Sequence, residues 1–144
     1  MKLWALLSMF WVGVAAAAPS PSPMDYFKLH QPYASLQCPQ NTTPADMDRC
    51  VTRLLTDADV RLNQAYQILL KRLKADEVGG NWLVKPSEQL IRAQRDWISL
   101  KNSGCAFETH ESASSPYYQN HLNLCLLTYT RERADYLQWF VDHP

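Results

Sequence analysis

Glycine is scarce in this chain, with four in 144 residues, and neither a GxSxG elbow nor a phosphate-cradling glycine loop occurs. Excess charge of one sign is also missing: 14 Lys and Arg stand against 14 Asp and Glu, with no basic stripe. Nucleic acid is excluded as a partner on that ground, because phosphate binding is driven by clustered cations that release counterions. The four histidines, His30, His110, His121 and His143, are dispersed, and neither HExxH nor CxxC spacing is present, so no metal site and no cofactor are expected. No segment sustains the two-residue alternation of a half-buried strand. The apolar run over residues 3–18 is about 16 residues long, short of the roughly 20 that cross a bilayer.

That run is informative in another way. Lys2 precedes it and Ala15-Ala16-Ala17-Ala18 closes it with small residues, the pattern of an export signal cleaved after Ala18. Residues 1–18 are therefore assigned as a signal peptide, and the remaining chain as soluble, without a membrane anchor. No cysteine follows the cleavage site to carry a lipid, the first being Cys38. Losing Lys2 leaves 13 cations against 14 carboxylates, a net charge of about minus one.

Four cysteines in an exported chain read as two disulfides formed in an oxidising compartment. Cys38, Cys50, Cys105 and Cys125 allow three connectivities. Pairing Cys38 with Cys50 and Cys105 with Cys125 is favoured, since each closes a short loop that helix geometry can bridge. Each bridge is worth roughly 3 kcal/mol.

Residues 19–37 form a Pro/Ser-rich leader, Pro19-Ser20-Pro21-Ser22-Pro23, followed by an irregular arm with aromatics but no periodicity. Residues 38–141 constitute one helical domain. Thr43-Pro44-Ala45-Asp46 carries a cap, a first-turn proline and a dipole-complementing acid. Steps of three and four from Met47 through Val51, Leu54, Ala58, Leu62, Ala65, Leu69 and Leu73 predict a helix to about residue 75, stopped by Gly79-Gly80. Pro86 opens a second helix that Gly104 ends, and Ser115-Pro116 opens a third with its face on Tyr118, Leu122, Cys125, Leu126, Tyr129, Arg133, Tyr136, Leu137 and Phe140. The fold class is all-α, an antiparallel bundle of three long helices stapled by two disulfides.

Asp57 and Asp59, two apart on a helix, point in different directions and make no glycosidase dyad. With no motif for catalysis, the chain is read as a binding protein and not an enzyme. Asp59, Asn63 and Tyr66 share one line of the first helix, and asparagine is a poor mid-helix residue. With Gln94 and Arg133 they are expected to form an interhelical polar network that fixes register.

These features in order resemble the LprI-like lysozyme-inhibitor family of small exported bacterial proteins. The resemblance rests on Cys38 and Cys50, Asp59-x-x-Leu62-Asn63-x-x-Tyr66, Leu90-x-x-Ala93-Gln94-Arg95-x-Trp97, Cys105, Cys125, and Thr130-x-x-Arg133-x-x-x-Leu137. Lys101 stands where similar sequences carry arginine. The resemblance implies a periplasmic or secreted protein that inhibits a lysozyme-like muramidase by occlusion; the alternative is an interaction or immunity module for another envelope protein. An inhibitor has to enter a cleft in a usually basic surface, which suits a polar, acidic and aromatic loop. Residues 106–118 fit, with Glu108, His110, Glu111, Tyr117 and Tyr118 as candidate contacts. Oligomeric state is left open by the sequence.

Overall fold

The computed structural model describes residue 38 and residues 43–144. The signal peptide, the Pro/Ser leader and the irregular arm fall outside the described residues. Those described form three helices and no strand.

Helix α1 (Pro44–Asp76) begins as its sequence dictates. The Asp46 amide donates to Thr43 Oγ1 at 3.2 Å, and the Thr43 hydroxyl donates back to the Asp46 carboxylate at 2.7 Å. This reciprocal cap, with Arg49 paired one turn on, holds the Asp46 carboxyl below the usual carboxylate range. Val51, Ala58, Leu62, Ala65 and Leu69 are its buried stripe. Beyond Glu77 the chain turns through Gly79, whose φ of 78° lies in the left-handed region that a side chain disfavours.

Helix α2 (Pro86–Glu108) corrects one expectation, because it passes through Gly104 and gains another turn. Gly104 does not take the positive φ of a helix-ending glycine, and a Cβ placed on it would meet the Tyr129 hydroxyl at 4.0 Å, an ordinary contact. Cys105 is held by its disulfide, and its carbonyl accepts from both the amide and the buried hydroxyl of Thr109, at 3.1 and 2.7 Å, at the end of the helix. A 3-10 turn (His110–Ser112) follows. Helix α3 (Tyr118–Asp142) also starts later than Ser115-Pro116 suggests. Ser115 belongs to the preceding turn, its hydroxyl accepting from the Tyr117 amide at 3.1 Å.

Neighbouring helices in sequence run antiparallel, which leaves α1 and α3 pointing the same way. Three contacts in register establish this: Asn123 with Asp48 and Thr52, Arg61 with Asp135, and the Arg72 guanidinium on the Phe140 and Val141 carbonyls. Along α2 and α3 the order reverses, from Cys105–Cys125 through Lys101–Thr130 to Gln94–Arg133. Cys38 pairs with Cys50 and Cys105 with Cys125, at Cα separations of 5.9 and 5.7 Å.

The core lies mainly in the α1–α3 seam. An upper cluster joins Val51, Ala58, Leu124 and Leu127 with Cys38, and a lower one joins Leu62, Ala65, Leu69, Ala134 and Leu137. Helix α2 covers the lower cluster with Leu90 and Trp97 and leaves Ile98, Leu100 and Phe107 exposed. The disulfide to α3 therefore secures the end of α2 that adds no residue to the upper cluster.

Candidate functional site: the disulfide-tied corner

Between α2 and α3 the chain turns back within residues 109–117, directly beyond the fully buried Cys105. Hydrogen bonds brace this corner from inside. Ser112 donates from both its amide and its hydroxyl to the Thr109 carbonyl, at 3.0 and 2.9 Å, and the Ser112 carbonyl accepts from the Ser115 amide at 2.8 Å. The serines that read as polar loop filler in sequence are thus the struts of the turn.

The five candidate contact residues separate into two groups. Glu108 lies on the last turn of α2, half-buried, and its carboxylate accepts the Tyr129 hydroxyl at 3.0 Å. That bond pushes the Tyr129 phenol up from its ordinary range. Tyr118 is half-buried at the start of α3. His110, Glu111 and Tyr117 are each exposed. The His110 ring stacks on Phe107 with centroids 5.6 Å apart, its Nδ1 lies 2.6 Å from the Phe107 carbonyl, and its Nε2 is 4.0 Å from the Glu111 carboxylate.

Phe107 lies within the segment 106–118 but is not among its five named candidates. It is 73 % exposed, on the far side of the helix from the buried Cys105. The signal was its spacing: two residues from a disulfide cysteine on a continuing helix points outward. The corner therefore shows two aromatics, an imidazole and a carboxylate on a braced turn, suited to stacking and hydrogen bonding with a partner surface.

Of the residues grouped as a register-fixing network, the structure brings together Gln94 and Arg133. Arg133 Nε donates to Gln94 Oε1 at 3.1 Å, and the guanidinium lies 5.2 Å from the Tyr136 ring and 5.8 Å from that of Trp97. Burial lowers the pKa of Arg133. Lys101 sits 4.8 Å over the same indole. Asn63 is exposed, Asp59 half-buried, and Tyr66 packs against the lower core cluster; none of the three bonds to Gln94 or Arg133.

The polar tie between α1 and α3 lies higher up. Asn123 donates to Asp48 at 3.0 Å and to Thr52 at 3.1 Å, accepts from Gln119 at 2.9 Å, and Asn120 donates to the Pro44 carbonyl at 3.1 Å. Asn120-x-x-Asn123 near the start of α3 was the available sequence signal. Among the described residues no cluster of metal-binding side chains occurs, and no helix is long and apolar enough to cross a membrane.

The family model described as lysozyme inhibitor LprI matches residues 37–137, which takes in all four cysteines, α1, α2, the corner and most of α3. No curated protein and no solved structure matches the chain.

Proposed function

Because this chain belongs to the LprI lysozyme inhibitor family, we propose that it is exported, binds a lysozyme-like muramidase and blocks the substrate cleft with the corner between α2 and α3. The observation that carries this reading is the outward display of Phe107, His110, Glu111 and Tyr117 on a turn braced by the Cys105–Cys125 disulfide and by Thr109 and Ser112. A turn already ordered loses little conformational freedom on binding, so more of the contact energy appears as affinity. Aromatic side chains are the usual anchors of such interfaces. Glu111 adds a negative charge that suits a basic rim and speeds encounter. Two disulfides agree with an oxidising location, periplasmic or secreted.

Occlusion needs only a surface, and each of these side chains supports it in the ground state of the complex. Glu108 has a different part: it holds Tyr129 and so fixes the last turn of α2 under the corner. The test is a cell-wall turbidity assay with the protein from residue 19 onward. Lysis is expected to stop at stoichiometric protein for one lysozyme class, and inertness toward every class sinks the reading. Replacing Glu111 and Tyr117 together by alanine is expected to weaken inhibition about thirtyfold, the effect of losing roughly 2 kcal/mol at a contact centre. Both residues are exposed, so melting should stay within about 0.5 kcal/mol of the parent. Unchanged potency clears the corner of the role.

A further inference from the structure

The two disulfides differ in what can reach them. Cys105 and Cys125 are 0 and 1 % exposed, enclosed at the base of the corner with buried Thr109 one turn beyond Cys105. The Glu108 carboxylate stands against this bridge: Oε2 lies 3.4 Å from Cys125 Sγ, while Oε1 accepts the Tyr129 hydroxyl at 3.0 Å. A sulfur in a disulfide carries no S–H to donate, so the contact sets a negative charge directly beside it. Cys38–Cys50 is the opposite case. Cys50 lies on the second turn of α1, half-buried at the edge of the upper cluster, and Cys38 keeps 9 % exposure. The carboxylates within one turn of Cys50 are engaged elsewhere, Asp46 with Thr43 and Arg49 and Asp48 with Asn123.

We propose that Cys38–Cys50 is a site of thiol–disulfide exchange with a dithiol reductant, entered at Cys50, and that Cys105–Cys125 is shielded from the same reagent by burial and by Glu108. A thiolate of the dithiol attacks Cys50 Sγ and the Cys38 thiolate leaves, so that a mixed disulfide joins the reagent to Cys50. The second thiol of the reagent then attacks its own bridged sulfur and displaces the Cys50 thiolate. The protein gains two electrons and two protons as the thiols of Cys38 and Cys50, and the reagent departs as a disulfide. At the other bridge both routes are opposed. Attack on Cys125 brings a thiolate up against Glu108, and attack on Cys105 expels a Cys125 thiolate beside it. Either sulfur also has to be uncovered by local opening before a reagent arrives. Exchange therefore releases Cys38 from its covalent tie to α1 and leaves the brace beneath the corner closed, whatever the corner binds.

The test uses the oxidised chain from residue 19 onward, incubated with dithiothreitol under native conditions. Thiols are trapped with iodoacetamide at intervals, and the labelled cysteines are located by peptide mass spectrometry. Cys38 and Cys50 should be labelled at least about tenfold faster than Cys105 and Cys125, with the helical circular dichroism retained at the intermediate stage. Glutathione, which lacks a second thiol, should leave its adduct on Cys50. Labelling of both bridges at one rate, or of Cys105–Cys125 first, overturns the proposal, as does an adduct confined to Cys38. Glu108→Gln keeps an acceptor for the Tyr129 hydroxyl and removes the charge, so it should speed opening of Cys105–Cys125 about threefold at an unchanged melting temperature. An unchanged rate overturns the part given to Glu108. The comparison of the two bridges in the parent chain is decisive whether or not that variant folds.

Discussion

His121, on the first turn of α3, is half-buried, and that burial lowers its pKa because the charged ring loses solvation. The folded state therefore favours the neutral imidazole, while in the unfolded chain the same ring protonates near about pH 6.5. On acidification the unfolded state takes up the proton first. Stability is whole above about pH 6.5 and falls as the pH drops from there through the folded value. Thermal melts between about pH 7.5 and pH 5 should show this decline, and His121→Gln should flatten it. A variant that loses stability as steeply as the parent would assign the decline to other groups. Glu108 and Glu111 illustrate how far single residues are legible. Both are acids near the corner, yet Glu108 turns inward to Tyr129 and Glu111 faces out. Which does which depends on where α2 stops, and Gly104 read as a terminator placed that stop one turn too early. Gly104 does not adopt the left-handed conformation with which a glycine ends a helix, and its residue type alone does not reveal that.

Among the elements, α1 was the most readable because its entry is written locally: Thr43 caps, Pro44 fits the first turn and Asp46 answers the cap. The apolar period of three and four then runs almost unbroken to Leu73, and five members of it are buried. Helix α2 was less readable because it packs on one side for part of its length, so apolar residues such as Ile98 and Leu100 stay exposed and blur its face. Its entry lacks a cap from its own N-terminal neighbour, Lys85, and Glu77 reaches across the connection to supply one. Glu77→Ala is expected to cost about 1–2 kcal/mol. Its amide-exchange signature should be confined to the first turn of α2 and the connection before it, and protection spread evenly over all three helices would remove Glu77 from this part. The two disulfides make a contrasting pair. Replacing either by alanines is expected to cost roughly 3 kcal/mol, read as a fall of more than about 10 °C in melting temperature. Only loss of Cys105–Cys125 should also weaken inhibition per folded molecule, since only that bridge braces the corner. Equal potency of the two variants would separate the corner from the bridge.

For the whole molecule, the fold class and both disulfide pairings were legible, because periodicity needs only local sequence and short loops restrict which sulfurs meet. The interhelical polar contacts were only partly so. Gln94 and Arg133 meet as their positions suggest, whereas Asn63 stays in solvent and Asp48, Thr52 and Asn123 make the tie near the other end of the seam. Which polar residue finds a partner depends on the rotation of each helix about its axis, and that is decided by the packing of leucines and alanines along the seam. The corner was legible as a segment but not as a surface, and the exposure of Val78, Trp82, Leu83 and Val84 in the connection between α1 and α2 was not visible behind the pair of glycines.

An odd number of helices leaves α1 and α3 side by side in the same sense. A tether pulling on residues 44 and 142 would meet this seam in shear, so that its rows of side chains resist together and not one after another as in unzipping. The Cys105–Cys125 bridge, spanning a separation of 20 residues, would withhold about 70 Å of contour from any such extension. A fold of this kind resists extension along its own axis more than separation across it.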